Sequence, residues 1–302
     1  MRSIDRLVGD RSAFAAAWEH EPLLSGALGD FEDVFGPDEA QRMLAAGLPV
    51  ATVRLFREGE SPPADRIARP RRPNAGNHVR IADYGRVARY VSEGYTLVLD
   101  EVQEYSPAVA VFAADLAAET GYPVDCAAFL TPPRSRGAGP HADTVGLFMR
   151  QVHGAKRWRI SAPAEQWPAR RWQPGDPAEP VLDLVLEAGQ CLYLPRGYVH
   201  VGETGDQASA HLAISVDTPA WGALFEAAVR AVAGEIPELR EPLPPAFAEV
   251  DRERLFDERM AALTERLVKT RWSDLAPRPR PRPAPPASGE FTAVLDKKEP
   301  TP

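Results

Sequence analysis

The residues of this chain best suited to chemistry are His141 and Asp143 in PHADTVGLFMRQVHGAKRWRI (140–160), His200 in CLYLPRGYVHVGE, and Lys156. In an extended segment residues i and i+2 project to the same side, so His141 and Asp143 aim an imidazole and a carboxylate at one point. His200 follows a tight turn at Pro195-Arg196-Gly197 and adds a second imidazole. Two histidines and one carboxylate on one face of a β-barrel leave the opposite face of an octahedral Fe(II) open for a bidentate cosubstrate and dioxygen. For the His-x-Asp pair taken alone, the alternative is a hydrogen-bonded surface pair.

Lys156 is the only lysine before Lys269 in a chain that otherwise uses arginine. A specific need for a compact ammonium explains such a choice, and a solvated face is the other explanation. A turn is predicted at His153-Gly154-Ala155, which puts Lys156 on the strand returning from the segment that His141 and Asp143 lead into. Inside a barrel a lysine is costly to bury unless it meets an anion, for example the distal carboxylate of 2-oxoglutarate.

The elements that must position these groups follow from the texture of the chain. Its 302 residues are 44% hydrophobic and 26% charged, ordinary for one large or two modest globular domains. The net charge of −8 disfavours a general nucleic-acid partner. No apolar stretch approaches the length of a membrane span, and the start, MRSIDRLVGDRSAF, is charged, so a cytoplasmic protein without membrane partners is expected. Cys126 and Cys191 read as small buried hydrophobes.

Residues 11–48 have an amphipathic helical pattern, with Gly36-Pro37-Asp38 as a helix start and Gly47 as a stop. VATVRLF (50–56) is a predicted strand, EGESPPADRIARPRRPNAGN a loop, IADYGRVARYVSEG a helix, TLVLDEV a strand and PAVAVFAADLAAETG a helix. From 123 to 217 many short apolar or alternating runs between Gly and Pro point to an antiparallel sandwich or barrel. Beyond 218 the pattern is helical again, in PAWGALFEAAVRAVAGEI and FAEVDRERLFDERMAALTERLVKT. From Ala276 onward proline dominates, and a disordered tail is expected there.

VARYVSEGYTLVLDEV, FLTPPRSRGAGPHADTVGLFMRQVHGAKRWRI, LVLEAGQCLYLPRGYVH and HLAISV together resemble, in order, the JmjC-type, cupin-like 2-oxoglutarate- and Fe(II)-dependent oxygenases of the ribosomal-oxygenase group. The resemblance implies a mainly β protein, a double-stranded β-helix (jelly-roll) core with flanking N-terminal helices and a C-terminal helical segment. It divides the chain into an N-terminal α/β decoration (1–122), the catalytic core (123–217), a helical dimerisation segment (218–275) and the Pro/Arg-rich tail (276–302). By position, His141, Asp143 and His200 match the iron ligands, Lys156 the residue that holds the 2-oxoglutarate carboxylate, and Ser215 a further polar contact to the cosubstrate. The implied activity is hydroxylation of a side chain in a protein or peptide, such as a ribosomal protein or a natural-product peptide, by a homodimer. This sequence departs from the pattern at Ala127 and Phe129, where the family often carries Asn and Tyr, and a member of the group lacking the winged helix is expected.

The other polar residues carry weaker expectations. His211 reads as a core histidine or a supporting group of the site, and His20, His78 and His153 as solvated. Trp158, alternating with Lys156 and Ile160, reads as core. Arg150 and Gln151 fall on opposite faces of a strand, so at most one lines the pocket, and Arg150 there would greet an acidic substrate. Arg134 and Arg136 occupy a loop before the first ligand, at a barrel mouth or simply solvated. Two other classes compete with an oxygenase: a cupin-like binding module acting through its helical ends and tail, and a Zn- or Mn-dependent cupin isomerase or hydrolase.

Overall fold

The computed structural model describes residues 2–275 apart from 27, 72–78, 169 and 171, so His78 and the tail from Ala276 lie outside the described residues. The N-terminal part contains α1 (Arg11–Ala17), β1 (Leu23–Ser25), α2 (Pro37–Ala46), β2 (Val53–Phe56), β3 (Ala68–Arg71), β4 (Val79–Ala82), α3 (Tyr84–Ser92), β5 (Thr96–Leu99), α4 (Val102–Tyr105) and α5 (Pro107–Thr120). Six strands follow: β6 (Val124–Thr131), β7 (Gly146–Pro163), β8 (Ala178–Glu187), β9 (Cys191–Leu194), β10 (Val199–Glu203) and β11 (Ser209–Val216). The helix signals act as their chemistry dictates: Pro37 opens α2 behind Gly36, and Gly47 closes it at φ +92°, a backbone shape that glycine adopts without strain.

The main sheet runs β1-β9-β7-β11-β6-β5-β2, and a facing layer forms where β8 and β10 pair with the second half of β7. This is a double-stranded β-helix. One apolar cluster, including Phe31, Phe35, Leu116 and Phe148, joins the main sheet to the N-terminal helices. A second, including Leu147, Met149, Trp158, Ile160 and Leu186, fills the space between the layers. Cys126 and Cys191 are both buried in the first cluster.

Several expectations are corrected here. Residues 11–48 are not helical throughout: Leu23–Ser25 leaves the pattern to add an edge strand to Cys191–Tyr193 of β9. The Pro/Arg-rich loop contains β3, which pairs with β4, so that α3 begins at Tyr84 rather than at Ile81. β1, β2 and β5 all belong to the main sheet, so residues 1–122 build the barrel as well as flank it. The turn predicted at 153–155 does not exist. β7 runs unbroken for 18 residues, and its pairing register with β11 shifts at Val152, two residues before Gly154, which has φ +60°. A Cβ there would lie 1.9 Å from the Ala208 carbonyl oxygen, so only glycine fits.

The described chain separates into two compact units, one ending at Asp217 and one beginning at Thr218. The second unit contains α6 (Trp221–Glu235), α7 (Arg252–Leu267) and α8 (Trp272–Leu275). Asp251 caps α7 by accepting from the Arg254 N–H, so this helix starts five residues after the expected Phe247. Within the unit Arg266 pairs with Glu235 at 2.7 Å, and the Trp221 and Trp272 rings lie 5.9 Å apart. Among the described residues no helix is long and apolar enough to cross a membrane.

Candidate metal centre

The structure brings His141, Asp143 and His200 together, with one ligand atom from each lying within 4.8 Å of the others. His141 lies just before β7, and His200 lies in β10. Their backbones form an isolated antiparallel bridge, and their ring centroids are 4.3 Å apart. Each imidazole is oriented by a carbonyl two residues before it: His141 Nδ1 lies 2.9 Å from the Gly139 oxygen and His200 Nδ1 3.1 Å from the Tyr198 oxygen. A carbonyl only accepts, so both Nδ1 atoms carry the proton and both Nε2 lone pairs are free to bind a metal. His200 Nε2 faces Asp143 Oδ2 at 3.7 Å. Burial, and next the neighbouring His141, push the His200 imidazole down to about 4, so it stays neutral at physiological pH.

Asp143 is held from the backbone. Its carbonyl accepts from the Gly197 N–H at 2.8 Å, which ties it to the turn between β9 and β10. Arg196 in that turn makes two 2.8 Å bonds to the Glu19 carboxylate, and the Glu19 N–H donates to Tyr193 Oη at 3.0 Å. A fork of this kind fixes direction as well as distance.

A cavity of about 740 Å³ opens beside the three ligands and extends between the layers, lined in part by Leu147, Met149, Lys156, Trp158 and His211. Lys156 is 4% exposed, and Nζ donates to Thr131 Oγ1 at 3.1 Å and lies 4.9 Å from the Trp158 ring centroid. Among the described residues no carboxylate pairs with it. Burial alone pulls the ammonium down to about 7. Two residues in contact with or close to Lys156 escaped the sequence reading. Thr131 carried no signal, but Gly202 did: an isolated glycine within a strand marks a close approach. A Cβ on Gly202 would lie 2.8 Å from Lys156 Cε and from the Trp158 ring.

Ala127, Phe129 and Ser215 also line the cavity. Ser215 Oγ donates to the Asp125 carbonyl at 3.2 Å. On β11 it lies four residues from His211, about 13 Å along a strand, so the two residues serve different ends of the cavity.

Arg150 is not a substrate contact. Fully buried, it donates to the Gly29 carbonyl at 2.7 Å and the Gln190 carbonyl at 3.3 Å, with its guanidinium over Phe31. Gln151 is buried too and bonds Ser209 Oγ and the His153 carbonyl, both at 2.8 Å. Arg134 pairs with Asp206 at 2.7 Å and Arg136 with Glu58, so both are engaged outside the cavity. His153 and His20 are not buried, and His20 Nδ1 lies 2.8 Å from Gln166.

A double-stranded β-helix with a His-x-Asp and a distant His at one end of its cavity defines a cupin-like metal-binding class. Residues 101–224 match the family described as JmjC domain, and part of the chain is similar to ribosomal oxygenases. Ribosomal oxygenase 1 of Rattus norvegicus is 36% identical over 157 residues, 48% of this chain and 26% of that protein. The bifunctional lysine-specific demethylase and histidyl-hydroxylase NO66 of Drosophila persimilis is 41% identical over 91 residues, 29% of this chain and 13% of that protein. The chain thus spans about a quarter or less of these relatives' length. Among solved structures, YcfD, a ribosomal oxygenase from Escherichia coli in complex with cobalt and 2-oxoglutarate, shares the fold with a TM-score of 0.58 at 19% identity, over 86% of this chain and 67% of that one.

Proposed function

We propose that this protein is a 2-oxoglutarate- and Fe(II)-dependent oxygenase that hydroxylates a side chain of a protein or peptide. One observation carries the reading: a buried ammonium without a carboxylate partner among the described residues, in the same cavity as two histidines and an aspartate arranged to ligate one metal. An isolated buried cation is costly, and a bound dicarboxylate removes that cost. The three ligands together with Lys156 argue against a binding module, and Lys156 argues against a non-oxidative cupin enzyme. The names of the relatives, ribosomal oxygenase and histidyl-hydroxylase, support a protein substrate.

His141, Asp143 and His200 would hold Fe(II) through Nε2, a carboxylate oxygen and Nε2. Lys156 would hold the distal carboxylate of 2-oxoglutarate. Bound there with O2, iron and 2-oxoglutarate supply the oxidation of a C–H bond to C–OH, with succinate and CO2 released. The chain's own part is to keep the His200 imidazole neutral and both rings oriented, and to exclude water with Leu147, Met149 and Trp158.

The dimer and the compartment belong to the same reading. Trp221 is 67% and Phe225 59% exposed on one side of α6, with Phe256 exposed on α7, which supports a homodimer through the helices of 218–275. A ferrous centre needs a reducing compartment, which supports the cytoplasm.

The test is an anaerobic titration of 2-oxoglutarate into the Fe(II)-loaded protein, with Lys156→Met as control. The expected result is the visible charge-transfer band of a chelated 2-oxo acid, saturating at higher concentration in the variant. Iron bound without a band overturns the proposal.

A further inference from the structure

His211 is a buried titratable group that the site described above does not use. It is 1% exposed and lines the same cavity as Lys156. The Phe129 ring stacks on it at 4.8 Å between centroids and 8° between planes, and Trp158 meets it edge-on at 5.4 Å. Aromatic neighbours on two sides fix the plane of the imidazole and offer it no hydrogen bond.

Among the described residues neither ring nitrogen of His211 has a partner, and Nδ1 is buried without one. A buried imidazole nitrogen left unbonded is disfavoured by the lost hydration, so such a position calls for a ligand or an ordered water. Lys156 stands near enough to bias the ring electrostatically, and burial, Lys156 and His200 all keep His211 neutral. Neutral imidazole has one N–H to give, and which nitrogen bears it is set by the partner. An anion with two acceptor oxygens would satisfy Lys156 and His211 together.

The two apolar substitutions in the wall explain why a second donor is needed. Ala127 and Phe129 line the cavity where the related pattern carries an amide and a phenol, and neither can hydrogen-bond. Phe129 instead presents a flat face that holds the imidazole.

We infer that His211 donates a hydrogen bond to the carboxylate of the cosubstrate held by Lys156, replacing the polar contacts that Ala127 and Phe129 lack. The inference rests on the 2-oxoglutarate reading proposed above. His211 would then be a binding residue for the cosubstrate and would leave the metal untouched.

The experiment is anaerobic calorimetry on the full chain loaded with Mn(II), measuring Mn(II) affinity first and 2-oxoglutarate affinity second. The proteins are the wild type, Lys156→Met, His211→Phe, which keeps an aromatic ring in the stack, and His211→Gln, which restores an N–H. His211→Phe is expected to weaken 2-oxoglutarate about tenfold, the usual scale for one buried hydrogen bond to a charged group, with Mn(II) affinity unchanged. His211→Gln should recover part of that loss. If Lys156→Met weakens 2-oxoglutarate while His211→Phe does not, the inference falls and the oxygenase reading stands. Equal losses of Mn(II) and 2-oxoglutarate affinity in His211→Phe, or no recovery in His211→Gln, make His211 structural and also overturn the inference. If the wild type binds Mn(II) but no 2-oxoglutarate, the underlying reading falls with it.

Discussion

His141 and His200 exchange two backbone hydrogen bonds, N–H to carbonyl at 3.3 Å and 2.8 Å, so the two imidazoles of the candidate centre stand on directly paired backbones. The bridge is isolated from the strands on either side, and it brings together positions far apart in sequence without using a long strand pair. Asp143 completes the set from the segment leading into β7.

This arrangement predicts that Asp143→Ala removes a ligand without disturbing the bridge. The Asp143 side chain is 40% exposed, so unfolding should change little. Mn(II) or Fe(II) affinity should fall by more than about 100-fold, the upper end of the usual loss for an outer-shell partner. Metal titration followed by thermal unfolding of the metal-free protein checks both halves.

Lys156 makes cosubstrate binding depend on pH. Burial lowers its pKa from the ordinary lysine value of 10.5 to about 7, so between these limits the unfolded chain holds a proton that the folded one has released. For this group, stability of the ligand-free protein therefore rises with pH across that window and is flat below it. Binding of a dicarboxylate favours the ammonium form, so its affinity should weaken as pH rises above about 7 and binding at pH about 8 should take up protons. Calorimetry in buffers of different ionisation enthalpy measures the uptake, and Lys156→Met should abolish it.

Gly202→Ala tests how tightly the lysine is seated. The new methyl would press on Lys156 and on Trp158 at once, both part of the packed wall. A cost of about 1–3 kcal/mol is expected from overpacking, with a 2-oxoglutarate affinity at least several-fold weaker. Denaturant unfolding and the anaerobic titration read the two effects separately.

Arg150→Met separates structure from chemistry. It would take the side-chain donor from the Gly29 carbonyl, leave the Gln190 carbonyl with the Gln151 N–H alone, and remove the guanidinium from over Phe31. Stability should drop by about 1–3 kcal/mol. Metal and 2-oxoglutarate affinities should match those of the wild type.

The site was the part of the molecule most legible in the sequence, because ligand types and short spacings are local. His141, Asp143, His200 and Lys156 do converge on one cavity. The fold was less legible where partners are remote. Leu23–Ser25 looked helical because its pairing partner, β9, lies far along the chain. Arg150 looked available to a substrate because the carbonyls that bury it, at Gly29 and Gln190, belong to other segments. The β3–β4 pair was hidden by the prolines around it, and Gly154, read as a turn, lies inside one strand just past a register shift at Val152.

That shift fixes which side of β7 faces inward. Before Gly154 the cavity is lined by odd-numbered residues, Leu147 and Met149, and after it by even-numbered ones, Lys156 and Trp158. Strict alternation along β7 would have turned Lys156 outward. One extra residue thus resets the parity of the strand, and a single-residue deletion near Gly154 would move the cation to the surface while leaving every other side chain of the centre in the sequence.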